Sequence, residues 1–325
     1  MSTTLDLWPQ SFEDTLKKRL ERFQDQHGRA SALFDADETL WHGDIVEAHY
    51  ALLEVTRPDA AFEFVGHPAV EHLERESLVA YYQRLYAATN VDVAFEWACD
   101  VYDKHPTSAL LSETVELFDR TRRDLDNLSY PRPKFYEAQR QLLVWLNEHD
   151  VDAWIISASP EVLIHAAVLA LDLKGLIPLH RALGVNYGIL APDGEVNTMK
   201  LRQENTGDQS DALEDLLKAP GTVMTANRNG PLTWQEGKAE AFRIFNPEPA
   251  KPFLVAGDSP NDFAMQFLTP HDCGARVRIA KDPAHVAKRH EATVERAAKG
   301  AWAHSVEDDL SAWLDIDPQP WRDAQ

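Results

Sequence analysis

The chain reads as an α/β protein: a three-layer core built on a parallel sheet, with an all-helical domain inserted after the first strand. Three observations predict this. Short apolar runs end abruptly on carboxylate or hydroxyl residues. Strand and helix patterns alternate after Phe135. Between His42 and Asp126 the apolar spacing is helical throughout, with no convincing strand. The expected division is a core of residues 1–41 and 134–325 with a helical insertion of 42–133.

Ser11 is placed to cap a first helix that carries Phe12, Leu16, Leu20 and Phe23 on one stripe, and Gly28 stops it. The run Ala32, Leu33, Phe34 follows and halts at Asp35-Ala-Asp37-Glu-Thr39-Leu40, the pattern of a buried strand reaching the carboxyl edge of an open sheet. Helical spacing then covers 45–55, 70–86, 93–102 and 110–125, broken by Arg57-Pro58-Asp59 and His105-Pro106-Thr107. Pro131 and Pro133 favour extended chain and mark the return to the core.

A helix over 135–147 precedes a second apolar run, 151–156, which ends on Ser157-Ala158-Ser159. Pro160 stands where a first helical residue belongs, with Ser159 as cap and 162–171 as the helix body. Residues 181–235 read as hairpins and loops, with turn signals at Asp193-Gly194 and Asn229-Gly230. Gly237-Lys238 opens a helix that runs to Phe245. A third apolar run, 253–255, ends at Gly257-Asp258-Ser-Pro-Asn261-Asp262 before a helix from Phe263. A short strand over 275–279 and two polar helices complete the chain.

The length, 325 residues, is enough to bury a sizeable core. A formal charge of -21 argues against general affinity for nucleic acid or anionic membranes, whose phosphates repel it. Cys99 and Cys273 are too few and too isolated for a disulfide framework or a zinc site, which fits a reducing compartment. The first ten residues carry neither a basic nor an apolar leader segment, and no apolar stretch reaches membrane-spanning length, so the expected setting is the cytoplasm. The oligomeric state is not legible.

Three apolar runs thus end in Asp35 and Asp37, in Ser157, and in Asp258 and Asp262. If these strands are parallel neighbours, the groups share one crevice at the carboxyl edge. Carboxylates crowded there repel unless a hard cation sits among them. Mg²⁺ suits the oxygen ligands and works with substrate phosphates. Ser157, the amides of the following helix and the fixed charge of Lys238 offer donors to a phosphate. Carboxylate nucleophile, cation, hydroxyl and lysine together describe a phosphoryl-transfer site.

On these residues the sequence resembles the haloacid dehalogenase superfamily, in which four short motifs build one site on a Rossmann-like core. Asp35-Ala-Asp37-Glu-Thr39-Leu40 matches the first motif, Ser157 the second, Lys238 the third and Gly257-Asp258-Ser-Pro-Asn261-Asp262 the fourth, in the right order over most of the chain. The insertion lies where the C1 cap lies in the phosphoserine phosphatase branch. Ala158 departs from that branch, which usually has glycine after the serine, and this bears on how closely the backbone approaches phosphate. The stretch Pro231-Leu-Thr-Trp-Gln-Glu-Gly237-Lys238 is similar to phosphorylcholine phosphatases.

The resemblance implies a division of roles. Asp35 forms an aspartyl phosphate, and Asp37 protonates the leaving oxygen and then activates water. Mg²⁺ is held by Asp35, the main-chain carbonyl of Asp37 and Asp258. Ser157 and Lys238 grip the phosphoryl group, while Asn261 and Asp262 orient phosphate and the metal's waters. An acid at Asp37 favours a phosphatase or a phosphomutase over the dehalogenases and transport ATPases, and a silent phospho-metabolite binder is the rival outside enzymes. In the phosphoserine branch the acid nine positions after the nucleophile meets the substrate's amine. Here that residue is Asp44, which is equally placed to cap the helix from Ile45. Trp41, Trp97, Tyr81 and Tyr82 offer cation–π faces to a quaternary group or fill the core of the insertion. His42 and His49 read as surface or packing residues. The expected substrate is a small phosphate ester.

Overall fold

The computed structural model describes residues 4–57, 66–204, 210–246, 251–279 and 313–323, with the isolated positions 284 and 291. Helix α1 (Gln10–His27) starts a residue before the expected cap. Pro9 is its N-cap, and Ser11 lies in the first turn, where its carbonyl accepts from Thr15 Oγ1. Gly28 takes the left-handed φ of 77° that lets the chain turn out of the helix. Strands β1 (Ala30–Phe34) and β2 (Trp41–His42) follow, then helices α2 (Ile45–Thr56), α3 (Leu78–Ala88), α4 (Val91–Asp100) and α5 (Thr107–Phe118). After β3 (Lys134–Phe135) come α6 (Glu137–Glu148), β4 (Val151–Pro160) and α7 (Glu161–Ala170). Then follow β5 (Ala182–Val185), β6 (Tyr187–Ala191), β7 (Gly194–Val196), α8 (Thr198–Glu204), α9 (Ser210–Lys218) and β8 (Val223–Arg228). Helix α10 (Glu236–Phe245), β9 (Leu254–Gly257), α11 (Phe263–Gln266), β10 (Ala275–Ile279), β11 (Trp313–Ile316) and α12 (Gln319–Asp323) end the described chain.

Two compact units emerge. The first comprises 1–42, 135–156 and 233–325, the second 43–134 and 157–232. In the first, parallel strands lie in the order β11-β10-β9-β1-β4. The last residues of β4, from Ser157, belong to the second unit, where β5 extends the sheet to six strands. Helices flank this sheet, so the fold is the α/β, Rossmann-like one that the alternation predicts. Leu16, Leu20 and Phe23 of α1 are buried, and the Phe23 ring meets Phe253 at 5.7 Å.

The second unit holds the helical insertion and, with it, residues 157–232, which the sequence assigns to the core. Backbone bonds explain the grouping. Lys104 N–H donates to the Met224 carbonyl, Met224 N–H to His105, and Thr107 N–H to Thr222, so the strand β8 edge is stitched to the segment entering α5. Ala48, Leu52, Leu117 and Leu125 form a small apolar cluster under Leu128 and Tyr130.

Several elements differ from expectation. The helix over 70–86 starts only at Leu78, where Ser77 supplies the cap by accepting from Ala80 N–H. The one over 110–125 stops at Phe118, and Arg123–Leu125 is a separate turn. Pro160 is the N-cap of α7 rather than its first residue, and Ser159 makes no side-chain cap bond. Residues 181–235 contain α8 and α9 besides hairpins. Asp193-Gly194 does turn β6 into β7, but Asn229-Gly230 follows β8 without forming a hairpin. Strand β11, parallel to β10, was not anticipated. The Pro58-Asp59 turn and most of the stretch expected to form the terminal helices lie outside the described residues.

Candidate active site

Register brings the first and fourth motifs together. Phe34 of β1 pairs with Ala256 of β9, and Asp35 N–H donates to the Ala256 carbonyl at 3.0 Å. Asp35 and Asp258 therefore leave adjacent parallel strands at the same edge, both buried. On the other side Phe34 pairs with Ile155 of β4.

Past Asp35 the chain winds tightly. The Ala36 carbonyl accepts from the N–H groups of Thr39, Leu40 and Trp41. Glu38 adopts a left-handed φ of 58°, an uncommon backbone for a residue with a side chain. The turn is held from α6 and its approach, where Gln139 Nε2 donates to the Thr39 carbonyl at 2.9 Å and Tyr136 N–H to the Leu40 carbonyl at 3.0 Å. Asp37 is half-buried, and its Oδ1 accepts from the Trp41 indole N–H at 2.7 Å. The sequence offered Trp41 as a cation–π face or as a packing residue. Its position four residues after Asp37 acquires meaning once the loop is seen to close on itself.

The fourth motif builds a rigid corner. Ser259 and Asp262 form a reciprocal capping box, with Ser259 N–H donating to Asp262 Oδ2 at 2.9 Å. Asn261 is half-buried, and its N–H donates to Ser259 Oγ. Asp262 Oδ1 accepts from Lys238 Nζ at 2.7 Å, and the same ammonium lies 2.6 Å from Asp35 Oδ1. Lys238, in the first turn of α10, is only 1% exposed, whereas Lys251, the nearest rival in sequence, is exposed.

Burial alone would lower the Lys238 ammonium, but the charges of Asp262 and then Asp35 outweigh it and hold its pKa above the ordinary value. Burial, and next the charge of Asp262, push the Asp35 carboxyl up, with Lys238 pulling the other way and Asp258 adding to the rise. Oxygens of Asp35, Asp258 and Asp262 lie within 4.8 Å of one another. Lys238 bridges two of these three buried carboxylates, Asp35 and Asp262. An all-oxygen donor set of this kind fits a hard divalent cation such as Mg²⁺.

Ser157 and Ala158 stand near the end of β4 in the second unit. Ser157 is buried and its Oγ accepts from Ser159 N–H at 3.1 Å, while Ala158 is half-exposed. Asp44, in the same unit, caps α2, its Oδ1 accepting from Val46 and Glu47 N–H at 2.8 and 3.0 Å. The Tyr81, Tyr82 and Trp97 rings pack on one another, with Tyr81 and Trp97 centroids 4.8 Å apart, and all three are buried. His42 is half-buried against Glu38.

Two buried polar clusters in the second unit have no sequence motif to announce them. His49, with Tyr102 on its Nδ1, and His105 both face Glu113, which Arg57 also contacts at 2.8 Å. Burial works to raise Glu113, but the hydrogen bonds of His105 and His49 prevail and hold it at about 2. Elsewhere Glu161 pairs with Arg202 at 2.7 Å, and His165 Nε2 lies 2.8 Å from Arg202 Nη2 and 2.9 Å from the Ala182 carbonyl.

No family model matches the chain. Among curated proteins it is similar to the phosphorylcholine phosphatase of Pseudomonas aeruginosa, 25% identical over 290 residues that span 80% of this chain and 76% of that one. Two solved structures share the fold. A protein of Anaerococcus prevotii described as conserved and functionally unknown has a TM-score of 0.55 at 13% identity, covering 89% of this chain and 90% of its own. A Bordetella pertussis protein of unknown function has a TM-score of 0.51 at 15% identity, covering 89% and 98%.

Proposed function

We propose that this chain is a hydrolase of the haloacid dehalogenase superfamily, phosphoserine phosphatase-like in type, which hydrolyses a small phosphate monoester through an aspartyl phosphate on Asp35. The carboxylates of Asp35, Asp258 and Asp262, gathered within 4.8 Å and spanned by Lys238, support it most directly.

In the first step Asp35 attacks phosphorus as the ester bond breaks, and Asp37 protonates the leaving oxygen. In the second, Asp37 takes a proton from water as the water oxygen bonds to phosphorus and Asp35 departs. Lys238 and Ser157 hold the transferring group and offset its charge, with the backbone at Ala158 beside it. Asn261 and Asp262 order the surroundings. Asp35, Asp258 and the Asp37 carbonyl, with Asp262 close by, would hold Mg²⁺, which would supply positive charge to the phosphoryl oxygens.

The substrate we propose bears an amine, of the phosphocholine, phosphoethanolamine or phosphoserine type. The curated relative supports this, as does Asp44, a carboxylate nine positions after the nucleophile. The insertion of 42–133 is the proposed cap that selects the leaving group, with 157–232 packed into the same unit. No described helix is long and apolar enough to cross a membrane. A cytoplasmic setting is proposed, supported by Cys99 and Cys273 both being free thiols. The test is Mg²⁺-dependent phosphate release from a broad panel of phosphorylated metabolites. Release to water supports a phosphatase, and movement within the substrate indicates a mutase.

A further inference from the structure

We propose that Trp41 is a positioning residue for the acid–base step, fixing the orientation of the Asp37 carboxyl group. The inference rests on the function proposed above. An indole N–H only donates, so it holds a carboxyl oxygen by one directed bond. Trp41 Nε1 donates to Asp37 Oδ1 at 2.7 Å. That bond fixes the rotation of the carboxyl group and so the direction from which it meets the leaving oxygen. The group so held gives a proton to the leaving oxygen and later takes one from water.

Two further observations show that the contact is built rather than incidental. The indole is fully buried although Asp37 is half-exposed, so the ring cannot swing away without opening the core. The loop that returns the chain from Asp37 to Trp41 passes through Glu38 at φ 58°, a backbone that a residue with a side chain rarely adopts. The Gln139 and Tyr136 donors described above clamp that strained turn from outside.

Atoms balance as follows. In the first step the Asp35–phosphorus bond forms, the ester P–O bond breaks, and the Asp37 carboxyl proton moves to the leaving alkoxide. In the second the water oxygen bonds to phosphorus, its proton goes to the Asp37 carboxylate, and Asp35 leaves as carboxylate. Nitrophenolate departs without a proton, whereas an alkoxide needs one. Losing the indole donor therefore penalises alkyl esters selectively.

The experiment measures kcat/KM of Trp41→Phe for phosphoethanolamine and for p-nitrophenyl phosphate. We expect the alkyl ester to lose at least about tenfold more than the nitrophenyl ester, part of the span a general acid supplies. Loss of packing alone would lower both alike. Should Trp41→Phe fold poorly, replacing the indole at position 41 by benzothiophene keeps the ring volume without the N–H, and the same selectivity is expected. Equal losses for the two esters, or none, in a folded variant overturn the role of Trp41. If the unmodified protein turns over and Asp35→Asn does not, that result leaves the proposed function standing. If the unmodified protein hydrolyses no phosphate ester, both fall.

Discussion

Gly257 leaves room for the Asp262 carboxylate: a Cβ built on Gly257 lies 2.4 Å from Asp262 Cγ, closer than real atoms approach. The fourth motif begins with glycine because the side chain that anchors Lys238 occupies the space beside it. Gly257→Ala must displace Asp262, and with it the bond to Lys238. We expect a stability loss of about 1 to 3 kcal/mol from overpacking, with turnover reduced at least about a hundredfold. Gly175→Ala, where nothing lies within 4 Å, serves as the control and should do neither. Melting curves and kcat for the two variants check it.

Lys238→Met removes the one positive charge that Asp35 and Asp262 share. Breaking a buried ion pair by deleting one partner typically costs about 3 to 5 kcal/mol. We expect a loss of that order in metal-free buffer, partly restored by Mg²⁺, and a kcat lower by roughly a hundredfold to a thousandfold. Denaturant titration with and without Mg²⁺, alongside kinetics, measures both. Near-normal kcat would remove Lys238 from the site.

Asp44 has a visible structural job, and the proposed contact with a substrate amine is a second one. Asn also caps helices well, so Asp44→Asn should hold stability within a few tenths of a kcal/mol, whereas Asp44→Ala should cost about 1 kcal/mol. If the carboxylate also meets an amine, Asp44→Asn weakens kcat/KM for phosphoethanolamine by about tenfold relative to a sugar phosphate, the size of one charge-assisted contact. Equal loss on both substrates confines Asp44 to capping.

His165 gives the fold a pH dependence of known sign. The ring is buried, and the Arg202 guanidinium lies 2.8 Å from its Nε2, so both disfavour the charged imidazole. Burial, the largest cause, holds its pKa down to about 4, below the ordinary 6.5. As pH falls through 6.5 the unfolded chain takes up a proton that the folded one refuses, so stability is present above 6.5 and drains away toward 4. Between pH 7 and pH 5 the loss comes to about 2 kcal/mol. Urea midpoints over that range should fall less in His165→Gln, whose amide oxygen can still accept from Arg202. Identical slopes would contradict a neutral buried ring.

The parts that sequence made legible are those with a local signature. Apolar runs stopping at Asp35 and Asp258 revealed both strands and the edge where their acids meet, because strand burial and the carboxyl-edge rule act within a few residues. Lys238 was legible through motif order, while its position between two carboxylates was not. Helix α9 escaped because Asp211, Glu214 and Asp215 mask an apolar stripe in which Leu213 and Leu217 are buried. The Glu113 and Glu161 clusters close only through residues far along the chain, His49 and Arg202, which no local spacing reveals. Trp41 was noticed for its ring, but its N–H mattered only once the turn at Glu38 was seen.

The most direct test of the account follows the phosphoryl group. The protein is mixed with a phosphate monoester in Mg²⁺, quenched in acid and digested, and the phosphorylated peptide is located by mass spectrometry. A phosphoryl group on Asp35, absent from an otherwise folded Asp35→Asn chain that releases no phosphate, is the predicted result. Phosphate release by Asp35→Asn at the rate of the unmodified protein would contradict it.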